Sequence, residues 1–232
     1  MSHLTAVSYN VHQWVGTDKQ YDPDRGLSVL REIGANIIGL QEVNFPKHIP
    51  HRISAKQLAE ELGMRLIVGK TLMRQHAAYG NVLLTDRPVD AIRRHDISVE
   101  RREPRGVLDI DLITDSGLIR VLNTHLGLRA SERRRQYAAL GDILQSIGNR
   151  EMTILMGDLN EWLPIRLPFR KIMANFDHLT APPSFPTFFP FLALDRILIR
   201  PHQRVIAMHV HKSRLARIAS DHYPVVAAFN VR

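Results

Sequence analysis

The stretch Thr153-Ile154-Leu155-Met156-Gly157-Asp158-Leu159-Asn160-Glu161 decides how the chain is read. Four β-favouring or bulky apolar residues predict the end of a buried strand, and Gly157 then predicts a backbone turn that sends Asp158 and Asn160 out together. In an extended segment, a carboxylate and an amide two residues apart face the same side. Such a pair can hold a water molecule, the carboxylate taking its proton while the amide orients the water or a phosphoryl oxygen. Gly-Asp-x-Asn is equally ordinary turn chemistry. The choice turns on whether other strands end the same way.

They do, on both sides of this stretch. Leu4 to Tyr9 predicts a strand ending at Asn10. Leu27, Leu30 and Ile33 predict a helix over Asp24 to Ile33, with Gly34 just past its end. The apolar run Asn36 to Gln41 then predicts a strand that stops at Glu42. A second helix is expected from Ile53 to Leu62, closed by Gly63, and strands from Arg65 to Val68, Tyr79 to Thr85 and Val89 to Ile97. Leu108, Ile110 and Leu112 alternate with Asp109 and Asp111, which predicts a half-buried strand over Val107 to Ile113. Asp115-Ser116-Gly117 turns it back into Leu118 to Asn123 as a hairpin that runs into Thr124-His125.

Ser131 is a plausible N-cap for a helix to about Ile147, with Tyr137, Leu140, Leu144 and Ile147 as its buried stripe and the arginines opposite. Prolines and phenylalanines crowd Trp162 to Phe191, which predicts a long surface excursion around one short helix. Strands follow over Leu194 to Ile199, Val205 to Val210 and Tyr223 to Phe229, the last preceded by Ser220-Asp221-His222. The polar strand ends are therefore Asn10, Glu42, His125, Asp158 with Asn160, Asp195 and Asp221-His222.

Composition narrows the chemistry. The 232 residues contain no cysteine, which excludes disulfides, thiolate metal sites and a Cys nucleophile. One domain over 1–232 is expected, because nothing in the composition marks a linker. A net charge of +8 favours polyanionic partners: nucleic acid, an anionic membrane surface or a phosphorylated small molecule. Neither a leader-like basic and apolar N-terminus nor a long apolar run is seen, so a cytoplasmic location is expected, with peripheral attachment at the inner membrane surface compatible with it. An oxygen-rich cluster without thiols suits Mg²⁺ or Mn²⁺ better than Zn²⁺. The chemistry that follows is attack of water on phosphorus, with Asp195 and His222 as an acid–imidazole pair.

These residues carry a resemblance. Ser8-Tyr9-Asn10, Leu40-Gln41-Glu42-Val43, Tyr79-Gly80-Asn81-Val82-Leu83-Leu84, Asn123-Thr124-His125-Leu126, Gly157-Asp158-Leu159-Asn160, Leu194-Asp195-Arg196-Ile197 and Ser220-Asp221-His222-Tyr223-Pro224 stand in the order found in the endonuclease/exonuclease/phosphatase superfamily. That DNase I-like group includes exonuclease III-type endonucleases, inositol-polyphosphate 5-phosphatases and neutral sphingomyelinases. The resemblance implies an α+β fold, a four-layer α/β/β/α sandwich of two mixed sheets with the site at one end. It implies Glu42 as main metal ligand, helped by Asn10 and Asp221, with Mg²⁺ or Mn²⁺ as cofactor. Asp158 and Asn160 would position and activate water. His222, hydrogen-bonded to Asp195, would take its proton or stabilise the phosphoryl oxygens; His125 would contact the phosphate or help the leaving group, and Arg105, Asn10 and Asn160 would contact the phosphate.

His12 departs from the acidic residue usual there in abasic-site endonucleases, which puts a second metal position in doubt; His12 is then either a phosphate contact or a surface residue. His209 and His211 could mimic a metal pair but lack an evident third ligand. The reaction expected is metal-dependent hydrolysis of a phosphodiester, in nucleic acid or a phospholipid headgroup. A phosphomonoesterase acting on a small molecule and a non-catalytic binding module with the same fold are the alternatives.

Overall fold

The computed structural model describes residues 3–46, 53–74, 77–145, 152–163, 167–176 and 182–232. Strands β1 (His3–Asn10), β2 (Ile37–Pro46), β3 (Arg65–Arg74), β4 (Ala77–Thr85), β10 (Val205–Val210) and β11 (Val225–Asn230) form one sheet in the order β10-β11-β1-β2-β4-β3. Strands β5 (Val89–Asp96), β6 (Gly106–Thr114), β7 (Gly117–His125), β8 (Met152–Asp158) and β9 (Asp195–Arg200) form the other, in chain order. Each sheet has one parallel pair, β1 with β2 and β7 with β8, and antiparallel neighbours elsewhere.

Helices cover the outer faces. Helix α1 (Pro23–Ile33) is capped by the Asp22 side chain and closed by left-handed Gly34; α2 (Ala55–Leu62) has a Ser54–Gln57 capping box and ends at left-handed Gly63. With α5 (Ala216–Ala219) they pack on the first sheet around Val7, Tyr9, Leu27, Leu30, Ile38 and Leu40. Helices α3 (Ala130–Gln145) and α4 (Leu167–Met173) pack on the second around Tyr137, Leu140, Leu122, Leu155 and Phe169. Between the sheets lies a third cluster, with Leu4, Ala6, Ile37 and Leu83 from one side and Ile110, Val121, Ile154, Met156, Ile197 and Ile199 from the other. The layers are helix, sheet, sheet, helix.

Several local expectations need correction. Gly157 does not turn the chain: it lies inside β8, where a Cβ would sit 1.8 Å from the Thr124 carbonyl oxygen. It is needed for the close approach of β7. Asn160 is left-handed (φ 50), so the segment after Asp158 is a turn, closed by the Asn160 N–H donating to Asp158 Oδ1 at 2.9 Å. Ser131 lies within α3, which starts at Ala130, and Ile147 falls outside the described residues.

Charged groups also go deeper than the alternation suggests. Asp109 and Asp111 are fully buried, because Arg93 and Arg120 neutralise them: Arg120 Nη2 donates to Asp109 Oδ2 at 2.7 Å, Arg93 reaches both acids at 2.9 Å, and His95 Nε2 stands 3.0 Å from Asp109 Oδ2. Arg133 of α3 is likewise buried rather than on a solvated face, paired with Glu161 at 3.3 Å. His211 bonds Glu32 at 2.8 Å and His209 is exposed, so the two do not form a metal pair.

Candidate active site

Along each central strand, alternate side chains face the inter-sheet layer, and at one end these positions change from apolar to polar. Leu4 and Ala6 give way to Ser8 and Asn10 in β1; Ile119 and Val121 to Asn123 and His125 in β7; Ile154 and Met156 to Asp158 in β8. Strand β9 runs the other way, so its first residue, Asp195, lies opposite Asp158. The sandwich thus has an apolar filling and a polar mouth.

Two irregularities aim the remaining groups. The β2–β4 register shifts between Leu40 and Val43, and Glu42 at this bulge takes φ 58. A left-handed glutamate costs on the order of 1 kcal/mol, so the surroundings must hold it there. Asn123 does so from the opposite sheet, donating to the carbonyls of Leu40 (3.1 Å) and Val82 (2.8 Å) and accepting from Gln41 Nε2 at 2.8 Å. The second irregularity is a left-handed turn through His12, Gln13 and Trp14 (φ 44, 55 and 64), which brings the His12 backbone N–H onto Asn10 Oδ1 at 3.0 Å.

That bond orients the Asn10 amide, and its Nδ2 donates at 3.1 Å both to Glu42 Oε1 and to Asp158 Oδ2. Asp158 Oδ2 also lies 3.5 Å from His125 Nε2 and 3.8 Å from His222 Nε2. His222 Nδ1 meets Asp195 Oδ2 at 2.8 Å, and Ser184 Oγ donates to the same oxygen at 2.5 Å. Phe185 packs on the His222 ring, with centroids 4.6 Å apart. Ser220 Oγ donates to the Asn10 carbonyl at 2.8 Å and accepts from the His222 N–H at 3.2 Å, tying the approach to β11 onto β1.

Protonation follows from these partners. Burial alone would discharge His222, but the Asp195 carboxylate outweighs it, with Asp158 and Asp221 adding, and raises the imidazole to about 10. Burial pushes the Asp158 carboxyl up to about 6, Asp195 adding to the rise while His222 and Asn10 oppose it. His125 moves the opposite way: burial first, then the Arg105 and His222 charges, hold it well below the usual histidine range. Arg105 Nη1 stands 2.9 Å from His125 Nδ1, and a guanidinium can only donate. Nδ1 is therefore the acceptor and Nε2 carries the proton, facing Asp158. The 3.1 Å approach of Asn160 Nδ2 to Nε2 is then a contact between donors, and Asn160 Nδ2 bonds instead to the Leu126 carbonyl at 3.0 Å.

The family model of endonuclease/exonuclease/phosphatase proteins matches residues 9–222, from the strand of Asn10 to His222 itself. The chain belongs to that family. The uncharacterized protein YbhP of Escherichia coli K12 is similar to it, 28% identical over 242 residues that cover 97% of this chain and 95% of YbhP. Among solved structures, an endonuclease/exonuclease/phosphatase from Beutenbergia cavernae superposes with a TM-score of 0.81 at 22% identity, over 99% of this chain and 72% of that one. Truncated Caenorhabditis elegans TDP2 gives 0.70 at 17%, over 98% and 97%.

In this endonuclease/exonuclease/phosphatase chain, Asn10, Glu42, His125, Asp158, Asn160, Asp195 and His222 stand at one end of the sandwich, connected by the bonds above. Asp221 is set apart: its Oδ1 lies 3.8 Å from His12 Nδ1 and 3.4 Å from Ser220 Oγ, whose proton goes to the Asn10 carbonyl. Arg105 is buried, with its second nitrogen 3.3 Å from Glu103. Among the described residues, one group of three ligand-type side chains clusters at this end, and Glu42 stands beside it as a further oxygen donor. Asp158, Asp195 and His222 bring ligand atoms within 4.8 Å of one another, but Asp195 Oδ2 already accepts from His222 and Ser184, and the high affinity of His222 for a proton competes with metal. Glu42, half-buried beside Asp158 across Asn10, offers hard oxygen donors without dismantling that dyad. Sequence reasoning missed Ser184, Ser220, the Gln41–Asn123 bridge and the His12 backbone. Ser184 lies in the Pro-rich excursion, where no periodicity marks it.

Proposed function

We propose that the chain is a divalent-metal-dependent phosphoesterase acting on phosphodiesters. The observation that carries this reading is geometric: Asp158 Oδ2 lies 3.8 Å from His222 Nε2, while Asp195 holds the other ring nitrogen at 2.8 Å, a buried arrangement that raises the Asp158 carboxyl to about 6 and the imidazole to about 10. At neutral pH Asp158 is a carboxylate of the strength a general base needs, while His222 is an imidazolium. Asp158 accordingly takes the proton of an attacking water that the Asn160 turn helps to position. The His222 cation, held by Asp195, stabilises the charge gathering on the phosphoryl oxygens. Neutral His125 donates from Nε2 to the phosphate, with Arg105 fixing that tautomer. Asn10 sets the spacing between Glu42 and Asp158. The cation, Mg²⁺ or Mn²⁺ on Glu42, would neutralise phosphoryl and leaving oxygens.

The Glu42, Asp158 and His222 set argues against a binding module, which needs no such acid–base pair. Hydrolysis of bis(p-nitrophenyl) phosphate with Mg²⁺ tests the reading. Turnover that vanishes in EDTA and falls at least about a hundredfold in Asp158→Ala or His222→Ala is expected. Unchanged rates in either variant would refute the assignment, and activity on the monoester alone would favour a phosphomonoesterase.

A further inference from the structure

Among the described residues, ten large apolar side chains are exposed, and seven of them lie at the polar mouth of the sandwich, six on loops and Ile218 on the short helix α5. Phe188 (72% exposed), Phe189 (69%) and Phe191 (60%) stand between Ser184 and Asp195, on the loop whose Phe185 packs against His222. That loop is pinned to the site by the Thr187 N–H donating to the Asp221 carbonyl at 2.9 Å. Phe188 and Ile218 line one concavity of about 710 Å³ together with Arg214 and Arg217. On the other flank, Leu128 (70%) follows His125 by three residues, and Trp162 (60%) and Leu163 follow Asn160. The buried Arg133–Glu161 pair joins these two loops: Arg133 Nη1 donates to the Leu128 carbonyl at 2.6 Å, and Glu161 Oε1 accepts from the Leu163 N–H at 3.1 Å.

An apolar rim around a catalytic mouth has a solvent-exposure cost that an occupant must remove. Arg129 and Arg214 on these loops and Arg217 on α5 are exposed beside them, so the occupant carries negative charge beside apolar matter. Phenylalanine and tryptophan could stack on bases, but Leu128, Leu163 and Ile218 have no ring face and gain nothing from a nucleic acid. All seven gain from hydrocarbon, with arginines at headgroup level. No described helix is long and apolar enough to cross a membrane, so such contact is at the surface. We infer that the mouth docks on an anionic phospholipid bilayer, and that the scissile diester is a lipid headgroup presented from that surface. The inference rests on the phosphodiesterase reading for its chemistry but not for its docking.

Vesicle binding tests the docking without turnover. Of the two tryptophans, Trp14 is buried, so a change in emission on binding reports Trp162 at the rim. Vesicles of phosphatidylcholine mixed with phosphatidylglycerol should co-sediment the protein and shift its emission to the blue, and brominated acyl chains should quench it. Phe188→Ser/Phe191→Ser should lower the bound fraction by about tenfold or more, and Arg214→Gln/Arg217→Gln should remove the preference over pure phosphatidylcholine. No sedimentation with either vesicle, binding without a Trp162 response, or binding by the phenylalanine variant equal to wild type would overturn the inference. So would tighter binding to a single-stranded oligonucleotide that the same variant loses. Wild-type hydrolysis of the soluble diester separates the readings: activity without vesicle binding removes only the membrane, and vesicle binding without activity removes only the chemistry.

Discussion

Asp195→Asn isolates the proposed charge on His222. Raising an imidazole from 6.5 to about 10 corresponds to on the order of 5 kcal/mol in favour of the cation, at 1.36 kcal/mol per pH unit. Asp195 is the leading source of that preference, while burial works against it. With a neutral amide at 195, burial is left to dominate, and His222 should be uncharged at neutral pH. The side-chain ¹⁵N shifts of His222, followed from about pH 5 to 9, distinguish the two forms because both nitrogens of the cation resemble each other and those of the neutral ring do not. The wild type should remain a cation across that range, and the variant should be neutral over most of it. kcat should fall by about 10²–10⁴. Stability moves with it: a raised imidazole contributes fully below its unfolded value near 6.5, and the contribution is lost as pH rises through about 10. The variant should therefore be less stable than wild type at pH 7 by urea melting, and the gap should close above about pH 10. A wild-type titration near 6.5, or identical titrations in the two proteins, would refute the reasoning.

Glu42→Gln should weaken Mg²⁺ binding at least about tenfold by calorimetry, whereas unchanged affinity would move the cation to Asp158, Asp195 and His222. Ser184→Ala removes the 2.5 Å bond to Asp195 and should lower kcat more than it changes KM, with the pH profile shifted; a uniform loss of folded protein would instead mark a purely structural serine. Asn123→Ala leaves the Leu40 and Val82 carbonyls without their amide partner, and urea unfolding should show a loss of about 3 kcal/mol. Burial opposes charge on Asp109, but hydrogen bonds from Arg120, Arg93 and His95 win and hold its carboxyl well below the usual range. Its stabilisation is present above its unfolded value near 3.9 and is lost as pH falls toward the depressed folded value. Asp109→Asn should cost about 3–5 kcal/mol at pH 7, because it strands Arg120, and the deficit should shrink in acid; a constant deficit across pH would contradict the ionic account.

The sandwich was legible because its strands announce themselves by apolar runs that stop at polar residues. The cleft was legible in part for the same reason, since the stops at Asn10, His125 and Asp158 are changes of residue type along one strand face, whereas Glu42 reaches it only through the β2 bulge. What escaped reading is long-range pairing. Asp109 and Asp111 look like a solvated face until Arg120 from the next strand and Arg93 from the previous one arrive to neutralise them. Gly157 looks like a turn because one chain cannot reveal how near Thr124 comes. Ser184 sits where no period exists, and the left-handed geometry of Glu42 depends on an amide 81 positions further along the chain.

The Gln41–Asn123 bridge has a consequence for how activity would fail. The carboxylate of Glu42 belongs to one sheet and those of Asp158 and Asp195 to the other, so their mutual distances are set by a seam rather than by any single strand. A methyl group on Gly39 would stand 2.9 Å from the Met156 terminal methyl and 3.0 Å from the Asn123 amide in that seam, so one of them must shift. A slip of the two halves by a fraction of an ångström would leave every helix and strand intact while separating the acids. Mild denaturant should therefore silence such a catalyst before circular dichroism registers any loss, and substitutions at Gly39, remote from any phosphate, should tune its rate.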